Sequence, residues 1–159
     1  MACECVQCGN CCSNMNLVHT ITEDRGDNTF VVYNYYSGEV TEVRVDADKT
    51  ALYEDTRSLE NLPDACPFLR FDTEGKAWCT VHLTRPEICR DYCCWRLLIY
   101  DAQGRRAGRV LYQRTFVPDT AELGRLWEEE KPKLSGLTDR EWDVAVIGFL
   151  TKAGYRVRQ

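Results

Sequence analysis

Residues 3–12 read CECVQCGNCC, so ten consecutive residues contain half of the ten cysteines in this chain of 159 residues. Disulfide bonds, a metal site and redox chemistry are the three explanations for such crowding. Cys11 and Cys12 are adjacent, and a disulfide between neighbours requires a strained peptide. Bridges within this stretch would also close very short loops, whereas a disulfide stabilises most when it closes a long one. The spacing therefore favours a metal site.

The cysteines of this loop follow the pattern CxxCxxCC, which is formed by Cys5, Cys8, Cys11 and Cys12. Two residues between ligands allow successive sulfurs to point at one centre, and Gly9 allows a tight turn between them. Backbone N–H groups in such a loop face the sulfurs and stabilise their negative charge. Cys3 lies outside this spacing, and we expect it to be a small hydrophobic residue or part of a frayed terminus.

The other cysteines lie farther along the chain, at the edges of predicted secondary structure: Cys66, Cys79, Cys89, Cys93 and Cys94. Crowded thiolates repel one another unless a cation neutralises them, so we expect both groups to contribute to metal binding. The predicted ligands are Cys5, Cys8, Cys11, Cys12, Cys66, Cys79, Cys89, Cys93 and Cys94. Cys89 and Cys93 are four residues apart and would share one face of a short helix.

The composition is that of a soluble globular chain, with 44% hydrophobic and 28% charged residues. No apolar run is long enough to cross a membrane, and no signal peptide is recognisable, so we expect a cytoplasmic protein with reduced thiols. The net charge of −5 argues against nucleic acid as a ligand. The basic stretch Gly104–Arg109 is interpreted as a solvated hairpin tip.

The hydrophobic pattern predicts a single α+β domain, 1–159, of β-hairpins and a few helices organised around a cysteine-ligated metal site. The cysteine cluster portion would cover 3–95, and 96–159 would add a hairpin and C-terminal helices. Three hairpins are predicted, with the strand pairs 29–36 and 39–45, 66–71 and 77–81, and 97–100 and 110–113.

Helix-start signals occur at three places in the second half of the chain. Thr84 and Glu87 fit a capping box and predict a helix from Pro86 to Cys93 or Cys94. A second helix is predicted from Thr120 to about Glu130. A capping box at Thr138 and Glu141 opens a third helix, which ends at Gly154 and is followed by a closing strand at 155–158. Its apolar face is predicted to consist of Trp142, Val146, Phe149 and Leu150.

The motifs of both cysteine groups resemble those of one known family. The CxxCxxCC loop, Cys66-Pro67-Phe68-Leu69, Cys79, Arg85-Pro86 and Cys89-Arg90 match, in this order, the YkgJ-type cysteine cluster proteins of the CxxCxxCC family, described as zinc- or iron-chelating domains. The resemblance spans about 3–95 and implies metal binding. In similar proteins four residues often separate the cysteine of the Cys-Arg pair, here Cys89, from the last cysteine of the motif. This spacing selects Cys94, whereas the helical-face argument selects Cys93. A related segment in flagellin lysine methylases implies a connection to methyl transfer.

The two-residue spacings and the distant Cys66-Pro67 favour a [4Fe–4S] cluster, with zinc as the alternative. We therefore expect an iron–sulfur accessory or electron-transfer module that works with a partner protein. A structural zinc-binding interaction domain and a cluster-dependent methyl-transfer-like enzyme are the alternatives. No catalytic residue is predicted, because no catalytic triad or phosphate loop is present. Arg90 is expected to pair with Asp91 or Glu87, and His82 to have a structural role.

Overall fold

The structure is a computed structural model, and it describes residues 5–159. The chain divides into two compact units, the first of which ends at Tyr92, while the second comprises Cys93–Gln159. Each unit combines antiparallel strands with short helices, so the predicted α+β class is confirmed. Across residues 5–159 no helix has the length and apolar character needed to cross a membrane.

The first unit begins with a 3-10 helix, Cys12–Leu17, and a three-stranded antiparallel sheet. The strands, in spatial order, are β1 (His19–Gly26), β2 (Thr29–Asn34) and β3 (Val40–Arg44). The hairpin of β2 and β3 was predicted, but β1 was not, because its second half is polar and solvent-exposed. Inward-facing side chains of the sheet form a buried core with residues of the next hairpin: Phe30, Val32, Val43, Val45, Phe68 and Val81.

A second hairpin holds two of the predicted ligands near its ends. It pairs β4 (Leu69–Phe71) with β5 (Ala77–Cys79), as predicted, and Leu69 lies opposite Cys79. The turn between them is closed by Asp72, whose Oδ1 accepts hydrogen bonds from the backbone N–H groups of Glu74 and Lys76. Between β3 and β4 the chain forms the short helix α1 (Thr50–Glu54), flanked by 3-10 turns at Ala47–Lys49 and Arg57–Leu59.

The helix that carries Cys89 is shorter than predicted and begins differently. It is α2 (Glu87–Asp91), and the residue before it, Pro86, has an extended backbone. The predicted capping box is wrong, because the Thr84 hydroxyl accepts a hydrogen bond from Arg44 N–H at 2.8 Å and donates one to Arg44 O at 3.1 Å. The helix ends at Asp91, so the prediction that Cys93 continues its face is also wrong.

The second unit contains a four-stranded antiparallel sheet. Its strands, in spatial order, are β8 (Phe116–Pro118), β7 (Arg106–Val110), β6 (Leu97–Tyr100) and β9 (Arg156–Arg158). A hairpin at this place was predicted, but the returning strand starts earlier, because Asp101 closes the turn by accepting hydrogen bonds from the N–H groups of Gln103 and Arg105. The interpretation of this stretch as a solvated hairpin tip is confirmed for 104–106, which are exposed. It is wrong for Arg109, which lies in a strand, is only 5% exposed and pairs with Asp119.

Two helices complete the second unit, and both begin as predicted. The first, α3 (Ala121–Glu130), is capped by Thr120, whose hydroxyl accepts a hydrogen bond from Leu123 N–H. It is followed by a 3-10 turn, Lys131–Leu134. The second, α4 (Asp139–Lys152), has the complete capping box of Thr138 and Glu141. Its predicted apolar face is buried except for Phe149, which is half-buried, and it packs in one core with residues of β6 and β7.

Candidate metal centre

The CxxCxxCC loop is fastened to the second hairpin by backbone hydrogen bonds. Cys66 N–H donates to Cys12 O at 2.7 Å. At the other side of the loop, Ala77 N–H donates to Gln7 O at 3.0 Å, and Gln7 Nε2 donates to Ala77 O at 3.3 Å. These bonds join the two sequence-distant groups of cysteines within the first unit.

The path of the loop between these two anchors depends on Gly9. Its φ of +76° lies in the left-handed region, where a side chain is strained. A Cβ atom there would lie 2.7 Å from Cζ of Phe71 and 3.1 Å from Cβ of Ala77, so the backbone approaches the hairpin more closely than a side chain allows. Gln7 also has a positive φ, of +54°, although it is not a glycine. The loop therefore holds a strained conformation against β4 and β5.

The adjacent thiols of the loop interact directly. The Sγ atoms of Cys11 and Cys12 are 3.9 Å apart. A hydrogen bond from the Cys12 thiol lowers the pKa of Cys11 to about 6, despite partial burial. The pKa of Cys12 is raised, first because its proton is held by Cys11, then by burial and by the negative charges of Cys11, Cys66 and Cys79. The pair thus favours one thiolate and one thiol.

Cys66, Cys79 and Cys89 are half-buried, and burial is the main cause that raises the pKa of each thiol. It raises the pKa of Cys79 to about 12, with a further contribution from Cys66. It likewise raises the pKa of Cys89 to about 12, with contributions from Cys66, Cys79 and Cys11. Five thiols in the first unit therefore influence one another's ionisation: Cys11, Cys12, Cys66, Cys79 and Cys89.

A backbone N–H group points at one sulfur of the CxxCxxCC loop, as the sequence predicts. Gln7 N–H donates to the Sγ atom of Cys5 at 3.4 Å. Hydrogen bonds from Phe68 and Leu69 N–H oppose the effect of burial on the pKa of Cys66. A hydrogen bond from Val81 N–H does the same for Cys79. Donors of this kind stabilise thiolates, which are the form of cysteine that binds metals.

The donor set fits a thiophilic metal, since soft thiolates supported by backbone N–H groups bind zinc and iron–sulfur clusters. Among residues 5–159, however, no three Cys, His, Asp or Glu side chains lie in an arrangement that could hold a metal ion. The sulfurs are therefore neighbours whose charges interact, and the metal site itself stays a prediction.

The remaining predicted ligands differ in their state. Cys5 is exposed, whereas Cys8 is half-buried on the same loop, and both are free thiols. Cys93 and Cys94 belong to the second unit. Cys94 is a free thiol, whereas Cys93 is disulfide-bonded and could act as a ligand only after reduction of that bond. Cys3, for which no ligand role was predicted, lies outside the described residues.

Two arginines surround the helix that carries Cys89. Arg85 Nε donates to Cys89 O at 3.4 Å, and its Nη1 donates to the carbonyl oxygen of His82. Arg90 donates to Arg85 O and Leu83 O, both at 3.1 Å. The predicted ion pair of Arg90 with a neighbouring carboxylate is therefore wrong: the side chain folds back over the turn that precedes α2.

Sequence analysis missed Arg70, a residue of β4 that is only 3% exposed. Its guanidinium group donates to three backbone carbonyl groups and stacks on the ring of Tyr53 at 4.7 Å. The available signal was an arginine directly after Cys66-Pro67-Phe68-Leu69, inside a predicted strand whose neighbours are apolar. Charged residues are rarely buried in such a position unless they are paired or fully hydrogen-bonded.

The fold and the thiols define a small cysteine-cluster domain. The chain belongs to the CxxCxxCC family, described as "putative zinc- or iron-chelating domain", whose sequence profile matches residues 4–107. This result confirms the resemblance inferred from the cysteine motifs, and the match continues beyond residue 95 to the start of β7. No curated protein and no solved structure is significantly similar to the chain.

Proposed function

We propose that the protein binds an iron–sulfur cluster through thiolates of the CxxCxxCC loop and of the hairpin region. The observation that supports this most directly is the 2.7 Å hydrogen bond from Cys66 N–H to Cys12 O. It joins the loop to Cys66, which precedes the Cys79 strand, and the charges of the thiols around it interact. A centre that takes ligands from both segments would use this arrangement.

The choice of cluster follows from the cysteine spacing and the chemistry around the sulfurs. Three cysteines at two-residue spacings together with a distant Cys-Pro are typical of [4Fe–4S] ligation. The N–H groups of Phe68 and Leu69 at Cys66, and of Val81 at Cys79, would support the negative charge of such a cluster. A bound cluster supplies one-electron redox chemistry. The protein would then act as an accessory or electron-transfer module.

A partner protein is part of this proposal, and the first unit offers an apolar surface for one. Tyr36 is 82% exposed in the loop between β2 and β3, next to the exposed Tyr35 and Val40. Tyr35 N–H donates to Val18 O, which brings the exposed Leu17 to the same region. Exposed aromatic and aliphatic side chains that lie together are typical of protein-binding surfaces.

Anaerobic purification followed by metal and sulfide analysis tests the proposal. We expect a coloured protein that contains iron and acid-labile sulfide in equal amounts, with EPR or Mössbauer spectra of a cubane cluster. A colourless protein with stoichiometric zinc would show that the centre is a structural zinc site. Such a protein gives no redox signal and unfolds when a chelator removes the zinc. A metal-free protein after anaerobic reconstitution with either metal would contradict both versions.

Substitution of single residues locates the site. Cys66→Ser should abolish cluster retention, because serine is a poor ligand for a soft metal centre. Ala65→Ser is the matched control, since it introduces the same hydroxyl at the neighbouring buried position. Equal cluster content in both variants would exclude Cys66 from the centre.

A further inference from the structure

We propose that Arg70 provides the buried positive charge that balances the thiolate centre, and that it thereby sets the affinity and the reduction potential of that centre. This inference rests on the proposed metal binding and names a residue that acts on the metal through its ligands. Arg70 is thus a positioning and charge-balancing residue. Its role follows from the way in which the fold holds its guanidinium group.

The guanidinium group is fixed in one orientation inside the first unit. Nε donates to Tyr53 O at 2.8 Å, while Nη1 donates to Pro67 O at 2.8 Å and to Leu69 O at 2.7 Å. The ring of Tyr53 lies 4.7 Å from the central carbon of the group. Arg70 is therefore anchored in the turn that immediately follows Cys66.

The positive charge of this group has no carboxylate partner. Within residues 5–159, all hydrogen bonds of Arg70 go to neutral carbonyl groups, and it forms no ion pair with Asp or Glu. The buried Arg109 of the second unit, by contrast, pairs with Asp119 at 3.2 Å. A buried charge without a counter-charge is costly, and arginine cannot relieve that cost by losing its proton at physiological pH.

The anionic groups that face Arg70 are few. Asp55 contributes only weakly, and both of its carboxylate oxygens are already bound by Arg57. Tyr53 is uncharged at neutral pH, since burial raises the pKa of its hydroxyl. Cys66 directly precedes Pro67, whose carbonyl oxygen accepts a hydrogen bond from the guanidinium group at 2.8 Å. A thiolate centre that includes Cys66 would therefore supply the missing counter-charge.

The backbone of this turn and the charge of Arg70 would act on the centre in different ways. Leu69 N–H donates to Cys66 O at 3.0 Å, and Arg70 holds the same turn through Pro67 O and Leu69 O. Its charge also lowers the energy of any additional negative charge on the centre. Loss of the charge should weaken binding and make reduction of a cluster harder, because reduction adds a negative charge.

The test compares Arg70→Gln, Arg70→Lys and the control Arg25→Gln, an exposed arginine of β1 that forms an ion pair with Glu23. Metal affinity is measured by chelator competition, and the midpoint potential by redox titration, first for the wild type. We expect Arg70→Gln to lower affinity about 10- to 100-fold, as is usual for residues that support metal ligands, and to shift the potential to a more negative value. Arg70→Lys should keep affinity and potential close to the wild type, and Arg25→Gln should change neither.

The possible failures are distinguishable. A wild type that holds no thiolate-bound metal contradicts the proposed function itself. A wild type that binds metal while Arg70→Gln has the same affinity and potential overturns only the role of Arg70. If Arg70→Lys is as impaired as Arg70→Gln, or if neither variant folds, then the hydrogen bonds of the guanidinium group, and not its charge, are required. The proposal is wrong in that case. Folding of Arg70→Lys alone, with wild-type affinity and potential, supports it.

Discussion

Cys66 N–H donates a hydrogen bond of 2.7 Å to the carbonyl oxygen of Cys12, so the main chain joins the two groups of cysteines. A backbone hydrogen bond does not depend on the protonation of the thiols or on their ligation. The loop and the hairpin can therefore be docked before a metal binds. Such preorganisation reduces the conformational entropy that metal binding must overcome.

Substitution of Gly9 should damage the site through the backbone. We expect Gly9→Ala to lower the free energy of unfolding by about 2–4 kcal/mol, the sum of left-handed backbone strain and a clash with Phe71. Gly38→Ala is the matched control, because Gly38 has a similar φ of +73° but open space around it, and it should cost only about 1–2 kcal/mol. Denaturant unfolding measures both values, and equal losses would show that the contact with Phe71 is unimportant.

Removal of the metal should loosen the elements that carry the predicted ligands. Hydrogen exchange should accelerate after chelation at Thr80 N–H, which bonds Phe68 O at 3.0 Å between Cys66 and Cys79. The amide of Trp142, which bonds Thr138 O in α4, serves as the reference, because α4 carries no predicted ligand. Unchanged exchange at Thr80 in the metal-free protein would contradict a site at the second hairpin.

The capping box of α4 should stabilise the chain without affecting the metal. We expect Thr138→Ala to lower the free energy of unfolding by about 1 kcal/mol, because Glu141 N–H loses its acceptor and the Glu141 side chain loses a donor. Thermal unfolding measures the loss, and metal analysis of the same preparation should give the wild-type content. A large loss of metal in this variant would mean that general stability, and not local geometry, controls metal content.

Thr84 should position the helix that carries Cys89. Its hydroxyl bonds both the N–H and the carbonyl group of Arg44, and Thr84→Val removes both bonds while keeping the shape of the side chain. We expect a loss of about 1–2 kcal/mol in unfolding free energy and weaker retention of metal under chelator challenge. Thr50→Val is a control that removes one long hydroxyl contact, to Ala47 O at 3.4 Å. Wild-type retention in Thr84→Val would exclude a contribution of this contact to the site.

The features that the sequence predicts well depend on neighbouring residues. The capping box of Thr138 and Glu141 needs only residues three positions apart, and the β2–β3 and β4–β5 hairpins follow from local alternation and turn residues. The CxxCxxCC spacing likewise identifies the family.

The features that it misses depend on partners distant in the chain. Thr84 has the sequence signature of a helix cap, but its hydroxyl forms hydrogen bonds with the backbone N–H and carbonyl groups of Arg44 instead. Arg70 is buried because carbonyl groups of Tyr53, Pro67 and Leu69 surround it. Neither the hydrogen bonds of Thr84 nor the burial of Arg70 can be predicted from a local pattern, since tertiary contacts override local propensity.

X-ray absorption spectroscopy of the anaerobically loaded wild-type protein tests the central claim most directly. If the thiolates of the loop and the hairpin share one centre, the metal edge should show a first shell of sulfur at about 2.3 Å, for zinc and for iron alike. Cys66→Ser should lose sulfur from that shell or lose the metal entirely. A first shell of nitrogen or oxygen in the wild type, or an unchanged sulfur shell in Cys66→Ser, would contradict the account.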